Sequence, residues 1–495
     1  MVQLSPHTAA TADSPGRPQP VASIRPQLIA ALAAVGLSGA AYQQGGFYAA
    51  GQRYLLVVIT GVAVLAAFEA VRIAKAGNGL RWLANWPAGS APAALISWTM
   101  LQAGLHGSIG SGFRLGLLVL AVLVLIAGCT VLDGPSVDWL TSALLLLGAV
   151  AGLLAWFGVL NHRASLATPG QGLWRASATL GYPNAAAALL AILALTGLAL
   201  RCREQAAAAL RLNGLLLTAT LIGLAATLSR GGLLAFTAGA IALAATLGWR
   251  RLLTVGAVPL LGALVGAGGL LPSMPIGARS HYLPALSALL LGLLIGAVPL
   301  ADPASCAGRP RLAVLTRARR LPVVLAASGL AVAGLSWLAA GQHTFARLGA
   351  ARFSLHSADR GAAWNAVWHQ IGKHPVTGSG PGLRQLSWQS PAGGLRVFTY
   401  AHDEYLQLFA ELGVIGVGCL LACGYLLVGR LIRQRPQPGS DRSVWAAAIA
   451  AVVAVAVSVL FDFTGHFPAI PLTAAALAGC AGSVHRLSNS NTPQQ

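Results

Sequence analysis

The sequence predicts an all-α protein that crosses a membrane many times. Of its 495 residues, 56% are hydrophobic and only 9% are charged, and the mean hydropathy is +0.70. Soluble globular proteins carry about 25% charged residues, so this composition is typical of a polytopic membrane protein. About 20 apolar residues in a helix cross a hydrocarbon layer of about 30 Å. Apolar runs near that length recur along the chain, and we expect about 12–14 transmembrane helices.

Fourteen apolar runs define the predicted spans. They lie at residues 27–44, 54–72, 91–107, 115–132, 138–160, 185–200, 212–228, 232–248, 251–270, 283–300, 321–340, 405–429, 443–461 and 465–484. Helices one to eleven thus fall in residues 27–340 and helices twelve to fourteen in residues 405–484, with a large polar loop at 341–404. The Pro-, Ser- and Thr-rich start predicts a disordered cytoplasmic tail at 1–26 and no signal peptide. A second tail follows at 485–495.

The distribution of basic residues predicts the orientation of the spans. With the N-terminus inside, 20 of the 32 Lys and Arg fall in cytoplasmic segments, and six of the other 12 lie in the long loop. Cytoplasmic short loops carry an excess of Lys and Arg, so both termini are expected inside and the 341–404 loop outside. These residues are scattered between spans, so the net charge of +20 does not indicate nucleic-acid binding.

This orientation gathers the unusual polar residues on the outer face. They are Arg175, Asn184, Ser229, Arg230, His402, Asp462 and His466. Polar groups in a bilayer are costly, and they usually have a function when they cluster. For Arg53, Arg114 and Arg279 we favour the simpler alternative that the side chain extends to the nearest interface. For Arg230, which precedes two glycines, we favour a site.

The long loop contains a predicted helix and a glycine-rich segment. The helix begins near Ser357 or Asp359, carries Trp364 and Trp368 on one side, and ends before Pro375. The two Trp side chains either lie at the membrane surface or pack on the bundle. Arg360 falls in the first turn, where the helix dipole disfavours a cation, so we expect it to bind an anion. The glycines of 377–382 either offer backbone N–H groups to an anion or allow a tight turn.

His402 is the candidate general base. It precedes the twelfth span, and a helix N-terminus disfavours the imidazolium form, which leaves a neutral ring able to accept a proton. Asp403 or Glu404 could orient the ring through a hydrogen bond. A lone His is more often structural, but this one stands between an Arg- and Gly-rich loop and an apolar helix.

These residue types suit group transfer from a lipid diphosphate. Arg guanidinium groups bind phosphates with two parallel hydrogen bonds, and a neutral His can deprotonate a hydroxyl. The sequence has no DxD or HExxH motif, and its six cysteines predict neither a disulfide framework nor a metal site. We therefore expect no metal or other cofactor. Arg side chains would instead offset the charge that develops on the leaving diphosphate.

Four segments resemble motifs of one family, the O-antigen ligase/polymerase superfamily. Residues 402–416, HDEYLQLFAELGVIG, resemble its H-N-x-Y-L-Q-x-x-x-E-x-G-x-x-G signature. Residues 229–231 are similar to its S-R-G turn, 181–184 to its G-N-P-N motif, and 375–382 to its P-x-x-G-x-G-x-G loop. The chain departs from the family where Asp403 replaces Asn and where fourteen spans replace the usual twelve.

The resemblance implies a metal-independent membrane glycosyltransferase. Such an enzyme moves glycans from undecaprenyl diphosphate to a hydroxyl on the periplasmic face of the bacterial inner membrane, with inversion at the anomeric carbon. By motif, His402 would be the base, and Arg230 and Arg360 would hold the diphosphate, with Arg175 as a third candidate. These four residues should then meet around one cavity.

Several activities remain open at the level of the sequence. We favour O-antigen ligation to lipid A-core in lipopolysaccharide biosynthesis. O-antigen polymerase and protein O-oligosaccharyltransferase are alternatives with the same donor. A bicarbonate-type transporter is less favoured, because ionisable groups are scarce near the middle of the spans. A non-catalytic scaffold would tolerate the loss of His402.

Overall fold

The computed structural model describes residues 24–75, 89–203, 206–299, 358–382, 386–389, 394–398, 400–437 and 440–490. Fourteen α-helices dominate this part of the chain. They are α1 (Arg25–Tyr42), α2 (Ala49–Lys75), α3 (Ser90–Leu105), α4 (Ile109–Thr130), α5 (Gly134–Leu160), α6 (Pro183–Arg203), α7 (Ala207–Ala226), α8 (Arg230–Leu247), α9 (Trp249–Gly268), α10 (Tyr282–Gly296), α11 (Ala358–Lys373), α12 (Glu404–Arg433), α13 (Ser443–Val459) and α14 (Ala469–Ser490).

The predicted all-α polytopic fold is confirmed. Thirteen of the fourteen predicted spans coincide with a helix, and the eleventh, 321–340, lies outside the described residues. Among the described residues, eight helices are long and apolar enough to cross a membrane, and α10 and α13 are shorter apolar helices. Helix α11 matches none of the predicted spans and is the short helix expected in the long loop.

Helix α6 is the centre of the bundle. Every residue from 185 to 202 is buried, and α5, α7, α8 and α13 pack around the helix. Its sequence is apolar on all sides, the pattern of a helix enclosed by others. At one end, the fully buried guanidinium of Arg201 donates hydrogen bonds to the carbonyls of Val255, Leu210 and Val298. At the opposite end, the helix starts at the polar residues described below.

Two small β-hairpins accompany the helices and were not expected from the sequence. Strand β1 (Ala167–Gly170) pairs with β2 (Leu173–Ala176) between α5 and α6, and β3 (Leu386–Gln389) pairs with β4 (Leu395–Phe398) in the long loop. Each strand has only four residues, too few to produce a clear alternation of polar and apolar side chains. The first hairpin is held in place by the Trp174 N–H, which donates to Met274 O at 2.7 Å.

The glycine-rich loop packs against a break in α12. Gly413 adopts φ 65° and ψ −171° there, a conformation essentially restricted to glycine. The backbone N–H groups of Ser379 and Gly380 donate to the carbonyls of Ala410 and Glu411, both at 2.9 Å. These N–H groups therefore stabilise a close loop–helix contact, and the tight-turn alternative explains these glycines better than anion binding.

Helix α11 packs on the start of α12 through its apolar side. Val367 and Ile371 are buried against Ala401 and Ala410. Trp364 Nε1 donates to Ala401 O at 3.1 Å, so this Trp packs on the bundle. Trp368 contacts Phe409 edge to face but remains 55% exposed. Packing on the bundle is thus observed for Trp364, and a position of the exposed side of Trp368 at the membrane surface stays a prediction.

Candidate active site

Four connections between helices meet at one end of the bundle. They are the loop between α5 and α6, the turn between α7 and α8, the residues just before α12, and the segment 460–468 between α13 and α14. A different set of segments meets at the other end, where Arg203 pairs with Asp138 at 2.6 Å and with Asp441 at 3.6 Å. The polar residues that the sequence placed on the outer face therefore lie at the same end.

The imidazole of His402 is held by the carboxylate of Asp462. Nδ1 lies 2.9 Å from Asp462 Oδ1, and the two side chains are 20% and 3% exposed. His402 has φ 54°, a left-handed conformation that is uncommon outside glycine and clusters at functional sites. Since an ionised carboxylate can only accept, this contact favours the proton on Nδ1 and leaves the lone pair on Nε2.

Asp462 is a buried anion with several donors around it. The Tyr182 hydroxyl donates to Oδ2 at 2.5 Å, and Asn184 Nδ2 donates to the same oxygen. Burial alone would raise the pKa of Asp462, but the hydrogen bond and charge of His402, together with Tyr182 and Asn184, hold it below its usual value. The carboxylate therefore stays ionised beside the imidazole and can stabilise its cationic form.

Arg175 joins this network through Asn184. Its Nη2 donates to Asn184 Oδ1 at 2.9 Å, and its Nε donates to the Thr227 carbonyl at 3.1 Å. Ser229 Oγ donates to the same Asn184 oxygen at 2.9 Å and caps α8 by accepting from Gly232 N. A continuous set of hydrogen bonds thus runs from Arg175 through Asn184 and Asp462 to the imidazole.

Not all four predicted site residues are brought together by described contacts. Arg175 and His402 belong to one network. Arg230 is the exposed first residue of α8 and directly follows Ser229, which belongs to that network. Arg360 lies in the first turn of α11, but its side chain is outside the described part of the chain. The joint role of the four residues stays a prediction.

The carboxylate that orients His402 is not one of its sequence neighbours. Asp403 caps α12 by accepting the Leu406 N–H at 3.0 Å, and Glu404 pairs with His466, Oε1 to Nδ1, at 2.8 Å. The expectation that Asp403 or Glu404 orients the ring is therefore wrong, and Asp462 takes this position. Asp403 is not available to His402 because it caps the N-terminus of α12, and Glu404 is not available because this buried carboxylate is paired with His466.

From the sequence, Asp462, Tyr182 and Asn184 were expected on the outer face, but none of them was assigned a role. The available signals were modest. Asp462 is an acidic residue at the end of an apolar run, and Tyr182 and Asn184 fall within the G-x-P-N segment. Nothing in the sequence indicated that Asp462 would contact Tyr182 and Asn184, which are 280 and 278 positions away.

A second imidazole–carboxylate pair lies beside the first. His466 and Glu404 come from the same two segments as Asp462 and His402, with acid and base exchanged. The ring of Phe463 lies 4.3 Å from that of Tyr400 and 5.3 Å from that of His402, and the ring of Tyr400 lies 5.0 Å from that of His466. Burial lowers the pKa of His466, but the charge and hydrogen bond of Glu404 raise it by more, so the net shift is upward.

Comparison with known proteins finds a family that part of the chain resembles. The O-antigen ligase family model matches residues 214–421, a range that contains Arg230, Arg360 and His402. Arg175 and Asp462 lie outside the matched range. A search of curated proteins returns no match. The match to residues 214–421, with an S-R-G turn and the His402 motif in a polytopic helical fold, supports the resemblance to the O-antigen ligase-like superfamily.

Proposed function

We propose that the chain transfers a glycan from an undecaprenyl-diphosphate donor to a hydroxyl acceptor at the periplasmic face of the inner membrane. The observation that carries this proposal is the hydrogen bond between His402 Nδ1 and the buried, ionised Asp462. A carboxylate on Nδ1 orients a catalytic imidazole and stabilises the imidazolium that forms when Nε2 accepts a proton. His402 is the catalytic base, and Asp462 is its positioning residue.

The reaction is an inverting displacement at the anomeric carbon. His402 Nε2 takes the proton from the acceptor hydroxyl, and the acceptor oxygen forms a bond to the anomeric carbon. The bond from that carbon to the diphosphate oxygen breaks, and the lipid diphosphate leaves with the electron pair. Proton transfer by a positioned side chain accelerates such a step by about 10²–10⁴-fold.

Arginine side chains offset the negative charge of the leaving diphosphate. Arg230, at the exposed start of α8, and Arg360, in the first turn of α11, are the proposed diphosphate ligands. Both stand at helix N-termini, where backbone N–H groups and the helix dipole also favour an anion. Arg175 is the third proposed ligand. It positions Asn184 in the described structure, and its charge adds to the local positive field.

O-antigen ligation to lipid A-core is the first candidate for the specific reaction. A deletion strain analysed on a lipopolysaccharide gel separates the alternatives. Lipid A-core without a ladder, with accumulated lipid-linked polymer, indicates a ligase, whereas a core bearing one repeat unit indicates a polymerase. An unchanged gel with altered glycoproteins indicates protein O-glycosylation.

Point variants test whether the proposed site performs the chemistry. We expect His402→Ala and Arg230→Ala to abolish glycan transfer in the complemented deletion strain without lowering membrane abundance. Matched controls are His369→Ala, an exposed His on α11, and Arg53→Ala, an exposed Arg on α2, both with normal transfer. Normal glycan attachment by either site variant would refute the proposal. Bicarbonate flux into vesicles that survives His402→Ala would support a transporter instead.

A further inference from the structure

A cavity of about 870 Å³ lies beside the proposed site, between α2, α4 and the start of α12. Such a volume is typical of a small-molecule site. Its walls are apolar, with Ile59 and Ala63 from α2 and Leu118 and Ala121 from α4. Arg175, Arg230 and His402 do not line it. Leu56 and Val64, which do line it, are 46% and 49% exposed, so the cavity opens sideways between the helices, towards lipid.

One end of this cavity is polar and consists of interacting side chains. Glu404 and His466 are paired there, and Gln407 Nε2 donates to Glu411 Oε1 at 2.9 Å. Glu404, Gln407 and Glu411 are 8%, 1% and 3% exposed. Buried polar side chains at the end of an apolar cavity are costly to maintain, and such groups fix the orientation of ligands.

This end carries no excess of positive charge. Arg114 also lines the cavity, and even with His466 protonated beside Glu404, these two side chains would only match the carboxylates of Glu404 and Glu411. A diphosphate requires an excess of positive charge, which this end lacks. A hydroxyl donates one hydrogen bond and accepts others, so it matches a mixture of carboxylates, an amide and an imidazole. Because the apolar walls of the cavity begin directly beside its polar end, the ligand must carry its hydroxyl groups close to its hydrocarbon chain.

The polar end also adjoins the proposed catalytic pair. Tyr400 and Glu404 line the cavity, while His402, between them in sequence, faces Asp462 instead. Phe463 contacts the rings of both Tyr400 and His402. Tyr400 also contacts His466, with ring centroids 5.0 Å apart, so the rings of Tyr400 and Phe463 connect the polar end of the cavity to the imidazole of His402.

We infer that this cavity binds the acceptor, and that the acceptor is a membrane lipid with a small, uncharged head that bears hydroxyl groups. Its hydrocarbon chain lies between α2 and α4. One of its hydroxyl groups contacts Glu404, Gln407 and His466, and a second hydroxyl of the head reaches Nε2 of His402, which takes its proton. This inference rests on the proposed function and replaces lipid A-core as its acceptor, because lipid A-core carries a large phosphorylated head that an end without excess positive charge does not match. The polyprenyl donor would occupy a separate place, with its diphosphate at the arginines.

Photocrosslinking of the full-length protein in nanodiscs tests the inference without relying on glycan transfer. The probe is a monoacylglycerol with a diazirine in its acyl chain. We expect labelled peptides from α2 and α4, and a decrease of at least tenfold when an excess of unlabelled neutral diacyl glycolipid competes. Lipid A and farnesyl diphosphate at the same concentration should compete at least tenfold less well. Labelling elsewhere, or equal competition by the phosphorylated lipids, would overturn the inference.

Variants that narrow the cavity provide a second readout. Ala63→Phe and Ala121→Phe should each lower labelling by at least tenfold, with a melting temperature close to that of the wild type. The control is Val57→Phe, on the same helix as Ala63 but 74% exposed and outside the cavity lining, which should label normally. Undiminished labelling in a folded Ala63→Phe or Ala121→Phe protein would contradict the site. If the wild type labels as expected but transfers no glycan, the proposed function fails while the lipid site stands.

Discussion

Replacing Asp462 by Asn tests the positioning of His402 most directly. The substitution keeps the size of the side chain and removes its charge. Asp462 is 3% exposed, and Oδ1 lies 2.9 Å from His402 Nδ1. The imidazolium formed during transfer would thus lose its buried counter-charge, while the neighbouring donors Tyr182 and Asn184 could still bond to the amide oxygen.

The expected magnitude follows from this geometry. Two unit charges about 4 Å apart near a protein surface, at an effective dielectric constant of about 20, interact with about 4 kcal/mol. Each 1.36 kcal/mol corresponds to a factor of about ten in rate. Solvent screens part of the interaction at the imidazole, which is 20% exposed, so we expect Asp462→Asn to lower kcat by about 10²–10³-fold. KM for the donor should change little, because the carboxylate stabilises charge that develops only in the transition state.

The assay is glycan transfer by purified protein in nanodiscs, measured as kcat and KM over a range of pH. A merely structural role would lower the amount of folded protein, whereas a positioning role should also move the acid limb of the pH–rate profile to lower pH. Asp462→Glu should recover part of the activity. Asp441→Asn, a half-exposed carboxylate at the opposite end of the bundle, is the matched control and should be fully active. A rate within threefold of the wild type in a folded Asp462→Asn protein would refute the reasoning.

Three further outcomes follow from local geometry. Gly413→Ala should destabilise the protein by about 1–3 kcal/mol, because an L-residue is strained at φ 65° and ψ −171°; Gly418→Ala, in open space on the same helix, should not lower the melting temperature. His466→Gln should lower the melting temperature more at pH 5.5 than at pH 9. The raised pKa of His466 stabilises the fold fully below its unfolded pKa of about 6.5, and this contribution is lost as the pH rises through the folded pKa. Arg175→Lys should lower transfer at least tenfold, since an ammonium does not reproduce the two directed bonds to Thr227 and Asn184.

A specific result would contradict each of these three predictions. Equal melting temperatures for the Gly413 and Gly418 variants would show that the break in α12 carries no strain for an L-residue. A larger decrease in the melting temperature of His466→Gln at pH 9 than at pH 5.5 would contradict the stabilisation of protonated His466 by Glu404. Normal transfer by Arg175→Lys would show that charge alone suffices at this position, and Arg163→Lys, exposed in the same loop, serves as its control.

The sequence by itself determined the spans and much of the candidate site. Hydrophobic runs, positively charged short loops and the 402–416 motif are local properties, because each depends on residues that are close together in the chain. They therefore predicted thirteen helices within a few residues, the helix in the long loop, and His402 as the candidate base. The two hairpins were not predicted, because four-residue strands are too short to show a clear alternation of polar and apolar residues.

Only the tertiary structure decided which groups touch His402. Asp403 and Glu404 are adjacent in sequence, but the α12 N-terminus engages the first and His466 engages the second. The left-handed backbone at His402 then directs the ring towards Asp462, 60 residues away in sequence. Likewise, the glycines of 377–382 contact α12 because Gly413 breaks the helix there and leaves carbonyls to accept their N–H groups. Such partners depend on how helices pack, and packing combines residues that no local pattern relates.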